Sequence, residues 1–592
     1  MLLTRLYELS QRKDIKHKLP PEMYGNVKPR WFIEIDGEGK LLKPGFLDLG
    51  KDALARRMPD IVRSSGVKPK LLVDNGEYVL GVSSEGGDQK KIANRHLQFK
   101  ALVQECADVT QEASVQAIAA FLESWNPDVD CSKIPDSFSP ADVVTFQVHL
   151  PESGTIIPAD ADADLEKVQK FWADKTANPD SPTLTCLVTG EERKVEERLP
   201  VKIKRIPNGQ TAGTSLVSAN APPFTSYGLA NSLTSPISRK AAEGFGKALN
   251  YLIGNEDTHF YLHSTVYVFW TRKPTIHSLI KSVKQDRPAK VRKIFKAACE
   301  GRRKKKLRAN DLYALGLTAS GGRAVVRDWI SITLEDAMQN LVCWWDAQEI
   351  VNEFGVYNEN RYLRIKALAE SLYRDPNKDA VDRFSVQLLH VAFQGGTLPL
   401  EILAQIVRRN RAEQQVTYRR AALLKLVLST HRKYRTAMAK MQCLNPEPDF
   451  EDIDDNTAYH CGRLLAQLER IQETALGRDV YKTLIDRYYG AASTTPGKVF
   501  GPLVKDAQAH LGKLRKSEKQ RGAYEALQQK LEEIFCQIPA QSDTWPNNLT
   551  MQQQSIFSLG YYHQRAQNRK DALDAKAKRQ KKAEASGAEI EA

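Results

Sequence analysis

Near residue 375 the spacing of apolar residues in this 592-residue chain changes from short alternating runs mixed with turns to helical stripes alone. A period of two belongs to strands and a spacing of three and four to helices, so one chain carries two regimes of local structure. Before the change, Trp31-Phe32-Ile33-Glu34-Ile35 runs into Asp36-Gly37-Glu38-Gly39, a strand closed by a hairpin-type turn. Leu71-Leu72-Val73, Asp74-Asn75-Gly76 and Tyr78-Val79-Leu80 predict a second hairpin with Asn-Gly at its tip. Residues 137–205 add strand-like pieces such as Val143–Val148 around an acidic helix near 160–164. After a Gly/Ser/Pro-rich stretch over 207–236 come a helix over Arg239–Ile253 and a buried strand over Val266–Trp270. Beyond the change, Leu464, Leu468, Ile471 and Ala475 share one helix face that stops at Gly477. Tyr524, Leu527, Leu531, Ile534 and Ile538 form another that stops at Pro539, and Thr550 with Gln553 makes a capping box. The expected class is α+β: a mixed N-terminal region with β-hairpins over 1–375, then an all-α helical bundle over 376–592. The Lys- and Ala-rich end from about 569 has no apolar stripe and is expected to be a frayed helix or a disordered tail.

The length exceeds what one core usually supports, and 42% apolar residues suffice for ordinary globular cores. Arg5 and Glu8 interrupt the first apolar residues, no cleavage site follows them, and no run of eighteen apolar residues occurs. A cytoplasmic protein that does not enter membranes is expected. The eight cysteines are scattered, with no C-x-x-C pair, which predicts reduced structural thiols; His460-Cys461, adjacent on a helix, point in different directions.

The net charge of +14 is unevenly placed. Lys273 to Arg308 holds fourteen Lys/Arg against Asp286 and Glu300, including the run Arg302, Arg303, Lys304, Lys305 and Lys306. Arg408 to Lys440 holds ten, among them Arg408, Arg409, Arg419 and Arg420, against Glu413 alone. Clustered cations with few acids are the footprint of phosphate binding, and a solvated basic face is the bland alternative for either run.

Catalytic motifs are not legible. Gly316-Leu317-Thr318-Ala319-Ser320-Gly321-Gly322-Arg323 lacks the Gly-Lys-Ser/Thr ending of a phosphate loop and reads as a turn between strands. Gly213-Thr214-Ser215-Leu216-Val217 misses the second glycine of a nucleophile elbow. Asp452, Asp454 and Asp455 cluster after Pro446-Glu447-Pro448 and read as a solvated acidic loop rather than a metal site. No catalytic residue, metal ligand or cofactor is predicted.

Several segments together resemble the large-subunit family of type I-C CRISPR Cascade complexes. They are Lys68-Pro69-Lys70-Leu71-Leu72-Val73-Asp74-Asn75-Gly76-Glu77-Tyr78-Val79-Leu80-Gly81; the central run from Gly213 to Gly228, continuing to Ala248–Leu252 and Val268-Phe269-Trp270; Gly462-Arg463-Leu464-Leu465; and Phe557–Arg565. Ala219 stands where the family more often has phenylalanine. The resemblance implies a non-catalytic subunit of a crRNA-containing complex with repeated backbone subunits, a crRNA-processing subunit and a small subunit. Such proteins read a PAM in target double-stranded DNA, promote R-loop formation, hold the displaced single strand and help recruit a helicase-nuclease; guide pairing reads the sequence. It further implies that the C-terminal bundle is also made alone as the small subunit; Met438 and Met441 precede that bundle, and a start at another codon is the alternative.

On this reading the basic runs contact nucleic-acid backbone, and PAM recognition is expected from a β-ribbon carrying Arg63, Lys68, Lys70 and Asn75. Asn-Gly is equally what a type I′ turn demands. The central run places Gln210, Thr211, Ser218, Asn220, Ser226 and Tyr227 among glycines, as backbone-contacting groups or as a buried structural loop. Tyr561 and Tyr562 with Arg565 either stack bases or dock the last helix. The competing class is a metal-dependent DNA-processing enzyme whose site is assembled from distant carboxylates, and a third is a generic RNA-binding scaffold.

Overall fold

The computed structural model describes residues 2–588 apart from 51–52, 62, 64–65, 84–86, 227, 275–309, 357–362, 377–381, 445, 447–449, 478–482 and 539–544. The described chain packs as two compact units, residues 1–255 with 318–325, and 256–317 with 326–592. Residue 375, where the apolar spacing changes, lies inside the second.

The first unit is mixed α and β. Strands β1 (Tyr24–Val27), β2 (Trp31–Asp36), β3 (Leu41–Asp48), β4 (Arg56–Pro59), β5 (Val73–Asn75), β6 (Val143–Leu150) and β7 (Gly154–Ile156) include a sheet in the order β3-β2-β6-β5, with β7 on β6. The first expected hairpin is present: β2 and β3 pair antiparallel, and the Asp36 carboxylate accepts from the Glu38 and Lys40 amides across the turn. β2 and β6 run parallel; helix α1 (Leu2–Gln11) opens the unit, and helices α2 (Gln89–Thr110), α3 (Ala113–Ser124) and α4 (Glu166–Lys175) share the core of the sheet. Trp31, Ile33, Ile35, Val144, Phe146 and Val148 on the sheet and Phe99, Phe121 and Leu122 on the helices share one buried core. A short hairpin, β8 (Thr183–Thr185) with β9 (Glu192–Lys194), leads to α5 (Arg239–Gly254), which packs on α1.

The second expected hairpin is not formed. β5 ends at Asn75 and the chain enters one helical turn, Gly76–Val79. Asn75 has φ −75°, where a type I′ turn needs positive φ, and its Oδ1 accepts from Tyr78 N as a helix N-cap. Asn-Gly here starts a helix, and β5 pairs with β6 instead of returning on itself.

The second unit begins with a four-stranded antiparallel sheet, β10 (His259–Leu262), β11 (Thr265–Thr271), β12 (Asp311–Ser320) and β13 (Arg323–Thr333); Gly321 and Gly322 form the turn expected between strands. It then becomes helical through α6 (Leu334–Gln348), α7 (Ile365–Glu370), α8 (Asp382–Gln394), α9 (Glu401–Glu413), α10 (Tyr418–Thr430) and α11 (Arg435–Lys440) to α12 (Ile453–Leu476). Helices α13 (Leu484–Ala492), α14 (Pro496–Arg515), α15 (Arg521–Cys536) and α16 (Met551–Ala588) follow. Sheet and helices share one core, with Phe269 of β11 and Phe393 of α8 5.4 Å apart between ring centres. Thr550 and Gln553 cap α16 reciprocally as expected, and α16 is solvent-exposed over 569–578.

The principal packing is α12 on α16. A Cβ on Gly462 would stand 2.0 Å from Phe557 O, and one on Gly560 would stand 2.0 Å from Tyr459 O. The backbones touch, so neither position admits any side chain. A polar ladder runs along this seam: Tyr459 Oη lies 3.1 Å from His563 Nδ1, Arg463 Nε donates to Gln564 Oε1 (3.1 Å), and Tyr561 Oη donates to Glu469 Oε2 (2.9 Å). Tyr561 and Tyr562 are buried there, which is the helix-docking alternative rather than base stacking.

The expected acidic loop is in part a helix start, with Asp454 exposed and Asp455 buried. Asp452 N-caps α12, accepting from Asp454 N (2.9 Å), and Lys433 Nζ bonds both Asp452 (3.1 Å) and the buried Asp455 (2.8 Å). Two of the three acids, Asp452 and Asp455, thus pair with a lysine on another element.

Alanine in place of an exposed helical glycine gains about 1 kcal/mol. Gly462→Ala and Gly560→Ala should each instead lose roughly 2–4 kcal/mol, because a backbone contact has nowhere to move; chemical denaturation checks the sign. Burial, with Lys425 and Arg463 nearby, pushes His563 down to about 3, and burial with Arg463 pushes His460 down to about 4. A histidine whose folded pKa lies below its unfolded value of about 6.5 contributes fully above that value and loses the contribution as pH falls. Stability is expected to drop between pH 6.5 and 4, by up to about 1.4 kcal/mol per pH unit per histidine, which thermal unfolding reads as a falling midpoint. His563→Gln should flatten that slope while lowering the midpoint at pH 7.

Candidate nucleic-acid interface

Where α9 turns into α10, the loop between them, the segment Ser371–Pro376 and the α16 stretch from Tyr562 to Arg569 border a cleft of about 770 Å³. Gln414 allows the turn by adopting φ +51°. Six arginines line the cleft: Arg374, Arg409, Arg419, Arg420, Arg565 and Arg569. Two acids, Glu353 and Glu413, accompany them, with Tyr373 and Tyr418 on the wall. An excess of guanidinium over carboxylate in a concave, part-dry surface raises the local positive potential beyond what the same charges give on a flat face.

The arginines divide by what they already bind. Arg420 is buried, and its donors go to Ser371 O (3.2 Å), Asn410 Oδ1 (3.3 Å), Gln415 O (3.2 Å) and the Glu413 carboxylate. Arg409 donates to the other oxygen of Glu413. Arg565 lies 3.6 Å from Glu469, and Arg569 donates to Glu353 O. Arg374 and Arg419 are exposed and have no partner among the described residues. Of the four arginines expected in this run, the cleft gathers Arg409, Arg419 and Arg420, while exposed Arg408 does not line it. Arg374, Arg565 and Arg569 come from segments outside the run; no local charge count isolates them, because only the fold brings three distant pieces of chain together. The run Arg302, Arg303, Lys304, Lys305 and Lys306 lies outside the described residues.

The residues expected to read DNA near β5 surround a buried carboxylate. Asp74 accepts from the Arg63 guanidinium, from Lys70 N (2.9 Å) and from Asn75 N (2.9 Å). Arg63 also lies 4.4 Å from the Tyr78 ring centre, and Lys70 Nζ bonds Asp60 (2.7 Å). With Asn75 occupied as a helix cap, Lys68 is the exposed cation of the four without a partner among the described residues.

In the central loop Gln210, Thr211 and Asn220 are exposed, Ser218 is half-buried, and Tyr227 lies outside the described residues. Asn220 Oδ1 accepts from Arg323 Nη2 (2.6 Å), a residue the sequence motifs did not single out as a site. Among the described residues no group of three or more His, Cys, Asp or Glu is placed to hold a metal, and no helix is long and apolar enough to cross a membrane.

This two-unit protein with mixed and helical parts matches the family model described as CRISPR-associated protein (Cas_Csd1) over residues 3–569. The chain belongs to that family of CRISPR-associated proteins, the type I-C large subunits. No curated protein matches it.

Arg420→Ala leaves the buried Asn410 Oδ1, together with Ser371 O and Gln415 O, without its donor, while Glu413 keeps Arg409, and should cost roughly 1–3 kcal/mol of stability by denaturation. Arg374→Ala and Arg419→Ala should leave the free energy of unfolding within about 0.5 kcal/mol of the parent protein.

Proposed function

We propose that this protein is the non-catalytic large subunit of a type I-C Cascade complex. In this role it joins a guide-RNA complex, reads the PAM in target double-stranded DNA, promotes R-loop formation, holds the displaced strand and helps recruit a helicase-nuclease. Family membership supports the setting, and the arginine cleft is the observation that carries the contact with nucleic acid.

Phosphodiester backbone is a regular row of single negative charges, and arginine meets it with paired donors. Arg409, Arg420 and Glu413 form a braced floor, on which exposed Arg374 and Arg419 offer uncommitted guanidinium groups, with Tyr373 and Tyr418 beside them for stacking. Such a surface binds a strand through charge and stacking and leaves sequence to guide pairing. For the PAM, the segment from Arg63 to Asn75 offers Lys68, held on a backbone that Asp74 ties down.

Co-purification of a tagged copy with its neighbouring gene products should recover RNA and bind PAM-bearing duplex above PAM-less duplex. A solitary protein that cleaves DNA when magnesium or manganese is added would replace this reading with the enzyme alternative. Lys68→Ala should weaken PAM-bearing duplex selectively; an equal loss on both duplexes would assign it to backbone. Affinity for a single strand should fall with salt, and Arg374→Ala and Arg419→Ala should each reduce the slope of log affinity against log salt by about 0.7.

A further inference from the structure

The tip of the β12–β13 hairpin is locked to the central loop by main-chain hydrogen bonds: Ala319 N to Pro207 O (3.0 Å), Ser215 N to Gly322 O (2.8 Å) and Ala324 N to Ser215 O (2.9 Å). Arg323 therefore leaves a fixed backbone. Its guanidinium centre lies 4.0 Å from the Phe224 ring centre while Nη2 bonds Asn220. Phe224 closes the short turn Pro222–Phe224, where two consecutive prolines restrict φ, and it remains 48% exposed. Gln210 sits against the same tip, since a Cβ on Gly322 would meet its Oε1 at 3.4 Å. Three stretches of the loop and hairpin thus bring one arginine, one aromatic ring and two carboxamides to a single exposed point.

We propose that Arg323 and Phe224 form a stacking site for an unpaired nucleobase, with the Gln210 and Asn220 carboxamides at its edge. The proposal rests on the nucleic-acid reading above and assigns a base-contacting site that the arginine cleft does not supply. A half-exposed phenylalanine capped by a guanidinium offers flat surface, and both groups stack on bases. Arg323 is held by a neutral amide oxygen and has no carboxylate partner among the described residues, so its charge remains available to the phosphate that accompanies a base. Each carboxamide presents a donor and an acceptor, the complement of a base edge. An apolar peptide is the poorer fit, because among the described residues the ring is flanked by the Arg323 guanidinium and by exposed Thr225 and Ser226.

The test uses the full-length chain and two single-stranded DNA probes of equal length, one carrying 2-aminopurine among ordinary bases and one abasic throughout. The parent protein should quench the 2-aminopurine emission. Phe224→Leu keeps the apolar bulk and removes the ring, and Arg323→Lys keeps the charge and removes the plane. Each should lose the quenching and about tenfold in affinity for the base-bearing strand, with the abasic strand unchanged within about twofold. Equal losses on both strands would overturn the proposal in favour of a phosphate contact, and unchanged quenching would overturn it outright. Arg374→Ala with Arg419→Ala tests the cleft separately. Loss of backbone affinity there with unchanged Phe224→Leu quenching leaves the nucleic-acid reading standing without this site. No binding of either strand by the parent protein removes both.

Discussion

The second unit depends on the contact of α12 with α16 through Gly462 and Gly560. Two helices whose backbones touch lose the usual cushion of side chains, so their crossing point is fixed to within fractions of an ångström. That fixity permits a ladder of buried polar pairs, Tyr459 with His563, Arg463 with Gln564 and Tyr561 with Glu469, whose partners lie about a hundred residues apart in the chain. Buried polar groups specify a register because any slip leaves them unpaired in a medium that penalises it. The Gly462 and Phe557–Arg565 segments, on which the family resemblance partly rests, thus face each other across one seam.

This seam also sets the position of the cleft. Tyr562, Arg565, Ala566 and Arg569 lie on the face of α16 that borders it, immediately after the glycine crossing. Opposite them, Glu413 divides its two oxygens between Arg409 and Arg420, and the floor holds its shape because like charges are bridged by one carboxylate. The remaining positive charge is therefore concentrated on the exposed rim. Arginine suits both tasks, since its fork of donors satisfies several acceptors at once when buried and pairs with phosphate when exposed.

Much of the fold was legible locally. The β2–β3 hairpin, the helix over Arg239–Gly254, the strand through Val268, the stop at Gly477 and the capping pair Thr550 and Gln553 all follow from short-range periodicity and turn chemistry. Asn75 shows where local reading fails. Asn-Gly serves a hairpin turn and a helix cap alike, and the decision came from the buried Asp74 and from pairing with β6, some seventy residues downstream. The Asp452 cluster fails for the same reason: its partner Lys433 sits on another element. Among the described residues the last strand, β13, ends at Thr333, well before the change of apolar spacing near 375, and β11 packs on α8 in the same core.

By itself the sequence determined the α+β class, the family and the basic character of the 408–440 segment, because each is written in composition, periodicity or ordered motifs. Only the tertiary structure decided which arginines are braces and which are free, that Arg374, Arg565 and Arg569 join Arg419 at one cleft, and that Arg323 meets Phe224 at a hairpin tip. The physical reason is that charge and hydrogen-bonding capacity are properties of a residue, whereas their availability depends on neighbours that chain separation hides.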